Sequence, residues 1–191
     1  MDPSKSLPPL SDEPRRFPDL CLSLSRTLIC SITDLLDLPD GSLVLSVGSG
    51  SGLLEAHLQA HWASKPGCTR EIRGIEIRTA PSARPVNKWL PENLSSTVRG
   101  TWELSPELSS AGALLFVYPR EPSLVDRYLL AAAKNGNGHA LRTVIWLGPQ
   151  ADWETFEGCF RDVAGFAPLQ IAQNCGTAEY EMLAVIQRLS A

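Results

Sequence analysis

Three glycines at alternate positions, Gly48, Gly50 and Gly52, follow the apolar run Leu43-Val44-Leu45. A buried strand passes straight into a glycine-rich turn, and Leu53-Leu54-Glu55-Ala56-His57-Leu58 then reads as a helix. Such a turn lets backbone approach a ligand where a β-carbon would collide. It also leaves the free N–H groups of the helix start facing the crevice at the strand end. Glu76, in Gly74-Ile75-Glu76-Ile77, is placed to end the next strand. A carboxylate there can accept hydrogen bonds from both hydroxyls of a ribose. The two features together describe a site for a nucleoside-bearing ligand. The separation from Gly48 to Glu76 exceeds the about 20 residues usual in dinucleotide folds, and a loop insertion over 64–69 accounts for the excess.

The spacing discriminates among ligands. In the G-x-G-x-x-G pattern of nicotinamide-binding sheets the third glycine would fall at Leu53, which argues against a nicotinamide-dependent oxidoreductase. His57 and His61 stand four apart on one helix face. They lack the intervening glutamate and a third ligand, so no metal site is expected.

The elements that must position these residues alternate in type. Strands are expected at 43–47, 72–77, 97–100, 113–117, 143–147, 169–173 and 181–186. Helices are expected at 52–63, near 82–90, near 123–134 and at 152–164, with a turn at Asn135-Gly136-Asn137-Gly138. Alternation of this kind implies a parallel sheet with helices on both faces. The final two strands are separated by a short turn at Asn174-Cys175-Gly176, too little for a parallel crossover, so one of them is antiparallel. Ahead of the sheet, Leu20, Leu24, Leu28, Ile32 and Leu35 recur at helical spacing over 19–38, and Pro39-Asp40-Gly41 stops that helix. Residues 1–18 carry Pro3, Pro8, Pro9, Pro14 and Pro18 and read as a flexible arm.

One domain over 19–191 is expected, with the sheet core at 43–188. A chain of 191 residues leaves no room for a separate substrate domain. Charged residues make up 20% and apolar residues 43%, with a formal net charge of -4 and no Lys/Arg block. That balance gives no support to nonspecific binding of a nucleic-acid backbone. The five cysteines form no C-x-x-C pair and read as reduced thiols. The start has neither the basic residues nor the apolar stretch of a signal peptide, and no run reaches membrane-spanning length, so a cytoplasmic protein is expected.

At this point the chain resembles the class I S-adenosylmethionine-dependent methyltransferases over residues 43–188. The resemblance implies a Rossmann-like, doubly wound, mostly parallel α/β sheet of seven strands with an antiparallel last strand. It implies S-adenosyl-L-methionine as cofactor and a small molecule or protein as the methyl acceptor, through N, O or S. The family's glycine loop reads acidic-x-G-x-G-x-G. Here it reads Ser46-Val47-Gly48-Ser49-Gly50-Ser51-Gly52, so the glycines match and the acid does not. Either another group supplies the acid's contact to the cofactor's amino-acid portion, or the chain is a non-catalytic methyltransferase-like partner subunit.

The resemblance places Ser46, Gly48, Ser49, Gly50, Gly52 and Glu76 at the cofactor, with Thr101 and Trp102 after strand three at the adenine. Trp102 is equally readable as a loop aromatic packed on the rim. After strand four, Tyr118-Pro119-Arg120-Glu121-Pro122 faces the transferred methyl, though only Pro119 matches the N/D-P-P-Y pattern of amino-methylating members. Tyr118 can orient a nucleophile by hydrogen bond or present its ring to a sulfonium. Glu121 can accept a proton and Arg120 can hold an anionic group. The same residues would also serve as a rigid loop that starts the next helix at Pro122. Trp153 is a candidate substrate-pocket wall, while Trp146 belongs in the core.

Overall fold

All seven residues of the strand Ala111–Val117 (β4) are buried, as only a strand covered on both faces can be. In this computed structural model, which describes residues 6–78, 87–134 and 141–189, that strand lies at the middle of a seven-stranded sheet. The other strands are Leu43–Val47 (β1), Glu71–Ile77 (β2), Ser95–Val98 (β3), Thr143–Pro149 (β5), Gln170–Ala172 (β6) and Glu181–Gln187 (β7). Their order is β3-β2-β1-β4-β5-β7-β6. The pairs from β3 through β5 are parallel, and β7 runs antiparallel to both β5 and β6. The expected doubly wound sheet with an antiparallel last strand is therefore present. Strand order reverses between β1 and β4, the switch point outside whose strand ends such sheets bind ligands.

Alternation along the strands divides the core. Val44, Ala113, Leu115, Ile145 and Leu183 face the helices Arg26–Leu35 (α1) and Leu53–Ala63 (α2), packing on Leu28, Ile32, Leu58 and Trp62. Leu45, Leu114, Phe116, Trp146 and Ile186 face the helices Pro122–Lys134 (α3) and Trp153–Phe160 (α4), packing on Val125, Tyr128, Phe156 and Phe160. The indole N–H of Trp62 donates to Thr33 Oγ1 at 3.0 Å and joins α2 to α1.

The N-terminal region differs from its sequence reading. α1 begins at Arg26, because Asp19 has a left-handed φ of 66° and Ser25 caps the helix by accepting from Leu28 N–H at 2.9 Å. Leu20 and Leu24 reach the core from extended chain instead. The arm is not free from residue 6 onward. Leu7, Leu10 and Phe17 stand between the prolines and pack on the core, and Arg15 and Leu24 exchange backbone hydrogen bonds at 2.9 and 2.8 Å. Residues 79–86 and 135–140, which hold most of the helix expected near 82–90 and the Asn135-Gly136-Asn137-Gly138 turn, lie outside the described residues; 87–90 are not helical. No described helix is long and apolar enough to cross a membrane.

The start of α1 is seated on the β6–β7 turn. Ser25 Oγ donates to Gly176 O at 2.7 Å, and Gly176 has φ of 82° with the backbone of Leu28 where a β-carbon would stand. Gly41 has a similar φ of 76° but open space around it. Gly176→Ala is expected to lower stability by about 2 kcal/mol and Gly41→Ala by about half of that, since only the first adds a collision to the left-handed strain. Equal melting temperatures for the two variants would refute this seating.

Candidate functional site

The turn after β1 is built by hydrogen bonds that aim it over β2. Gly48 and Ser49 both donate N–H to Ile75 O, at 2.9 and 3.2 Å, and Gly50 N–H donates to Glu76 Oε1 at 2.5 Å. Gly48 and Gly50 have φ of 81° and 56°, which β-carbons disfavour, and the space beside each is open. The backbone conformation thus requires glycine, and the open side is a cavity of about 440 Å³.

That cavity lies across the carboxyl ends of β1, β2, β3 and β4. From the expected site it gathers Gly48, Ser49, Gly50, Glu76, Thr101, Tyr118, Arg120 and Glu121. Glu76 holds the turn through Gly50, and its other oxygen accepts from Ile77 N–H at 3.2 Å. Each carboxylate oxygen keeps a further lone pair for hydroxyl donors. Tyr118 has a left-handed φ of 49°, rare for a bulky residue. It is held by its own N–H donating to Leu147 O at 2.7 Å and its Oη donating to Glu181 Oε1 at 2.8 Å. Burial and then the Glu181 charge push its phenol upward. Glu121 pairs with Arg127 at 3.4 Å.

Four expected residues lie elsewhere. Ser46 is 0% exposed beneath the cavity floor. Gly52 caps α2 under Asn87 and Leu90. Trp102 is 67% exposed and lays its ring on Gly100, whose missing side chain admits it, while Gly100, Thr101 and Glu103 line the cavity. Trp153, the half-buried first residue of α4, packs on Trp146 and Phe160, with ring centroids 5.0 and 5.7 Å apart, against the core cluster on that face of the sheet. Burial holds the imidazoles of His57 and His61 below their usual range. Among the described residues no group of three or more His, Cys, Asp or Glu side chains is placed for a metal ion.

The structure adds groups that the sequence reading missed. Ser46 Oγ donates to Glu55 Oε1 at 2.5 Å, and Glu55, 1% exposed, lines the cavity. Desolvation raises its carboxyl to about 7, against the opposing Ser46 bond and its own N–H, with Glu76 adding to the rise. A glutamate three residues past a helix cap was the available signal. Asp19, Leu20, Cys21 and Leu22 form one wall, tied across the turn by the Asp19–Lys88 pair at 2.6 Å. The cavity therefore has a buried acid on α2, a second acid on β2 and a fixed phenol on β4, which suits a ligand carrying a nucleoside and a cationic group.

No protein-family model matches the chain, and no curated protein matches it by sequence. Solved structures do match its fold. The small RNA methyltransferase HEN1 aligns over 86% of this chain with 12% identity and a TM-score of 0.55, and the chain spans a quarter (25%) of that protein's length. The precorrin-6y C5,15-methyltransferase of Geobacter metallireducens aligns at TM-score 0.55 and 12% identity, covering 89% of this chain and 91% of that one. The precorrin 8W decarboxylase of Methanobacterium thermoautotrophicum aligns at TM-score 0.55 and 15% identity, covering 94% and 99%. The chain has the class I S-adenosylmethionine-dependent methyltransferase fold.

Proposed function

We propose that this chain binds S-adenosyl-L-methionine and transfers its methyl group to an N, O or S nucleophile of a small molecule or protein. The observation that carries the reading is the Glu76 carboxylate, fixed at the end of β2 by Gly50 N–H and facing the cavity beside the glycine turn. Fold alone does not assign a reaction, and one structural neighbour is named as a decarboxylase. The residues present fit the cofactor: Glu76 would accept from ribose hydroxyls, and Glu55 Oε2, without a partner among the described residues, would accept from a donor group.

The cofactor supplies a methyl group already activated on a sulfonium, so the chain mainly positions two partners. Tyr118 has committed its phenolic proton to Glu181, which leaves its oxygen as an acceptor for an N–H or O–H of the methyl acceptor. Glu121 and Arg120 stand at the same strand end to receive a proton or hold an anionic group. The cavity carries Asp19, Glu55, Glu76, Glu103 and Glu121 against Arg120. That balance favours a neutral or cationic acceptor over a phosphate polyanion.

The non-catalytic alternative rests on the neutral Ser46 and on a strand-four end that matches the amino-methylating pattern only at Pro119; the buried Glu55 bonded to Ser46 bears on the first of these and not on the second. Calorimetry with S-adenosylmethionine, S-adenosylhomocysteine and NADH separates the readings. Binding of the first two, without NADH, is expected; no binding of either sinks the proposal, and binding without turnover on any acceptor leaves the partner-subunit role. Glu76→Ala is expected to weaken S-adenosylhomocysteine about tenfold, the loss of roughly one charged hydrogen bond. Unchanged affinity would remove Glu76 from the site.

A further inference from the structure

Glu55 is a carboxyl group with one satisfied oxygen. Oε1 accepts from Ser46 Oγ, while Oε2 is buried and without a partner among the described residues. A buried polar atom left open in a cavity is costly unless a ligand completes it. Among the described residues no cation completes it. Ser46 approaches from β1 and Glu76 from β2. The N-terminal wall brings Asp19 and Cys21, with Asp19 held by Lys88. The loop after β3 brings Glu103, which is held by Arg99. The β4 end brings Tyr118, Arg120 and Glu121 to the cavity, with the Tyr118 hydroxyl engaged by Glu181.

We propose that Glu55 receives the ammonium group of the cofactor's methionine portion, and that its carboxyl releases a proton to solvent as the two pair. The inference rests on the cofactor reading above and adds to it a proton-linked step in loading. A neutral carboxyl is the resting form of the empty site at mildly acidic pH, because burial raises Glu55 to about 7. Binding an ammonium selects the ionised form, and the displaced proton leaves for bulk water. The ligand's α-amino group is protonated at and below neutrality, so over that range the pairing is governed by the ionisation of Glu55. Ser46 acts here as a positioning residue. Its hydroxyl engages Oε1 and leaves Oε2 as the carboxyl oxygen without a partner among the described residues, and by donating to the ionised form it eases loss of the proton.

The test is calorimetry of the full chain with S-adenosylhomocysteine and with 5′-methylthioadenosine, which has the nucleoside and sulfur but no amino acid. Affinity for the first is expected to rise on the order of tenfold from pH 5.5 to 7.5. Release approaches one proton per ligand near pH 6, read from titrations in buffers of different ionisation enthalpy. The second compound is expected to bind with a flat pH profile and no proton release. Glu55→Gln should flatten the S-adenosylhomocysteine profile and leave 5′-methylthioadenosine unchanged, while Ser46→Ala should move the rise to higher pH. A rise that survives Glu55→Gln, or the same rise with both compounds, overturns the inference and leaves the cofactor reading standing. The wild-type comparison decides the matter even where a variant does not fold. Failure of both compounds to bind overturns the cofactor reading and this inference together.

Discussion

Glu55→Gln is expected to remove a pH-dependent loss of stability from the empty protein. The folded chain holds this carboxyl at about 7 against an ordinary value of 4.5. Between those values the native state binds more protons than the unfolded one, so stability falls as pH rises. The stabilising contribution is fully present below the unfolded value and is lost as pH passes through 7. Its size is about 3 kcal/mol at 1.36 kcal/mol per unit. Glutamine keeps the shape and an acceptor for Ser46 Oγ but does not ionise. The difference in stability between variant and wild type should therefore move by about 3 kcal/mol in the variant's favour from pH 5 to pH 8, or roughly 6–12 °C in melting temperature. Urea denaturation at the two pH values checks this, and a difference that does not move with pH refutes it. The same substitution weakens ligand binding in the inference above, so a destabilising group is retained where the ligand needs it.

How much of this was legible in the chain follows from the range of each interaction. The strand–turn–helix at β1 and the acid ending β2 are local patterns, and Gly48, Gly50 and Glu76 stand where those patterns put them. The closing β6–β7 hairpin was legible because a short turn forbids a parallel crossover. The partnership of Ser46 with Glu55 was half legible. The missing acid was visible, but the buried carboxyl that Ser46 meets comes from the helix after the turn, and only the side-chain contact reveals it. Trp153 shows a different limit. An aromatic residue after β5 suits a pocket wall or a core equally well by type, and its contacts with Trp146 and Phe160 are visible only in three dimensions. The proline-rich start misled because proline excludes helix without excluding packing. Leu7, Leu10 and Phe17 use the extended chain between prolines to reach the core. The link from Tyr118 to Glu181 crosses 63 positions and leaves no local trace.

That link carries the other large effect. Glu181 is 2% exposed at the first position of β7, and three donors converge on it: Tyr118 Oη at 2.8 Å, Ser23 N–H at 2.9 Å and Ala178 N–H at 3.2 Å. It thus fastens the N-terminal wall of the cavity, through Ser23, to the residue that ends β4. Ser23 Oγ and Tyr180 Oη lie 3.0 Å apart, and Arg16 donates to the same Tyr180 hydroxyl at 3.0 Å. Glu181→Ala leaves the buried Ser23 N–H without its acceptor and removes one of the two hydrogen bonds that hold Tyr118 in its left-handed conformation. One orphaned buried donor and one lost charged hydrogen bond together cost about 4 kcal/mol. The melting temperature should fall on the order of 10 °C. A general loss of packing would also lower it, so the distinguishing readout is the tyrosine titration. Glu181 raises the Tyr118 phenol, and its removal should bring one phenol back toward the ordinary range. Ultraviolet absorbance against pH measures this, with Tyr118→Phe identifying the phenol concerned. If Glu181→Ala leaves that titration where it was, the two side chains are not coupled. If the cost of Glu181→Ala shrinks in a Tyr118→Phe, Ser23→Pro background, the convergence of donors is its source; the same cost in both backgrounds refutes that.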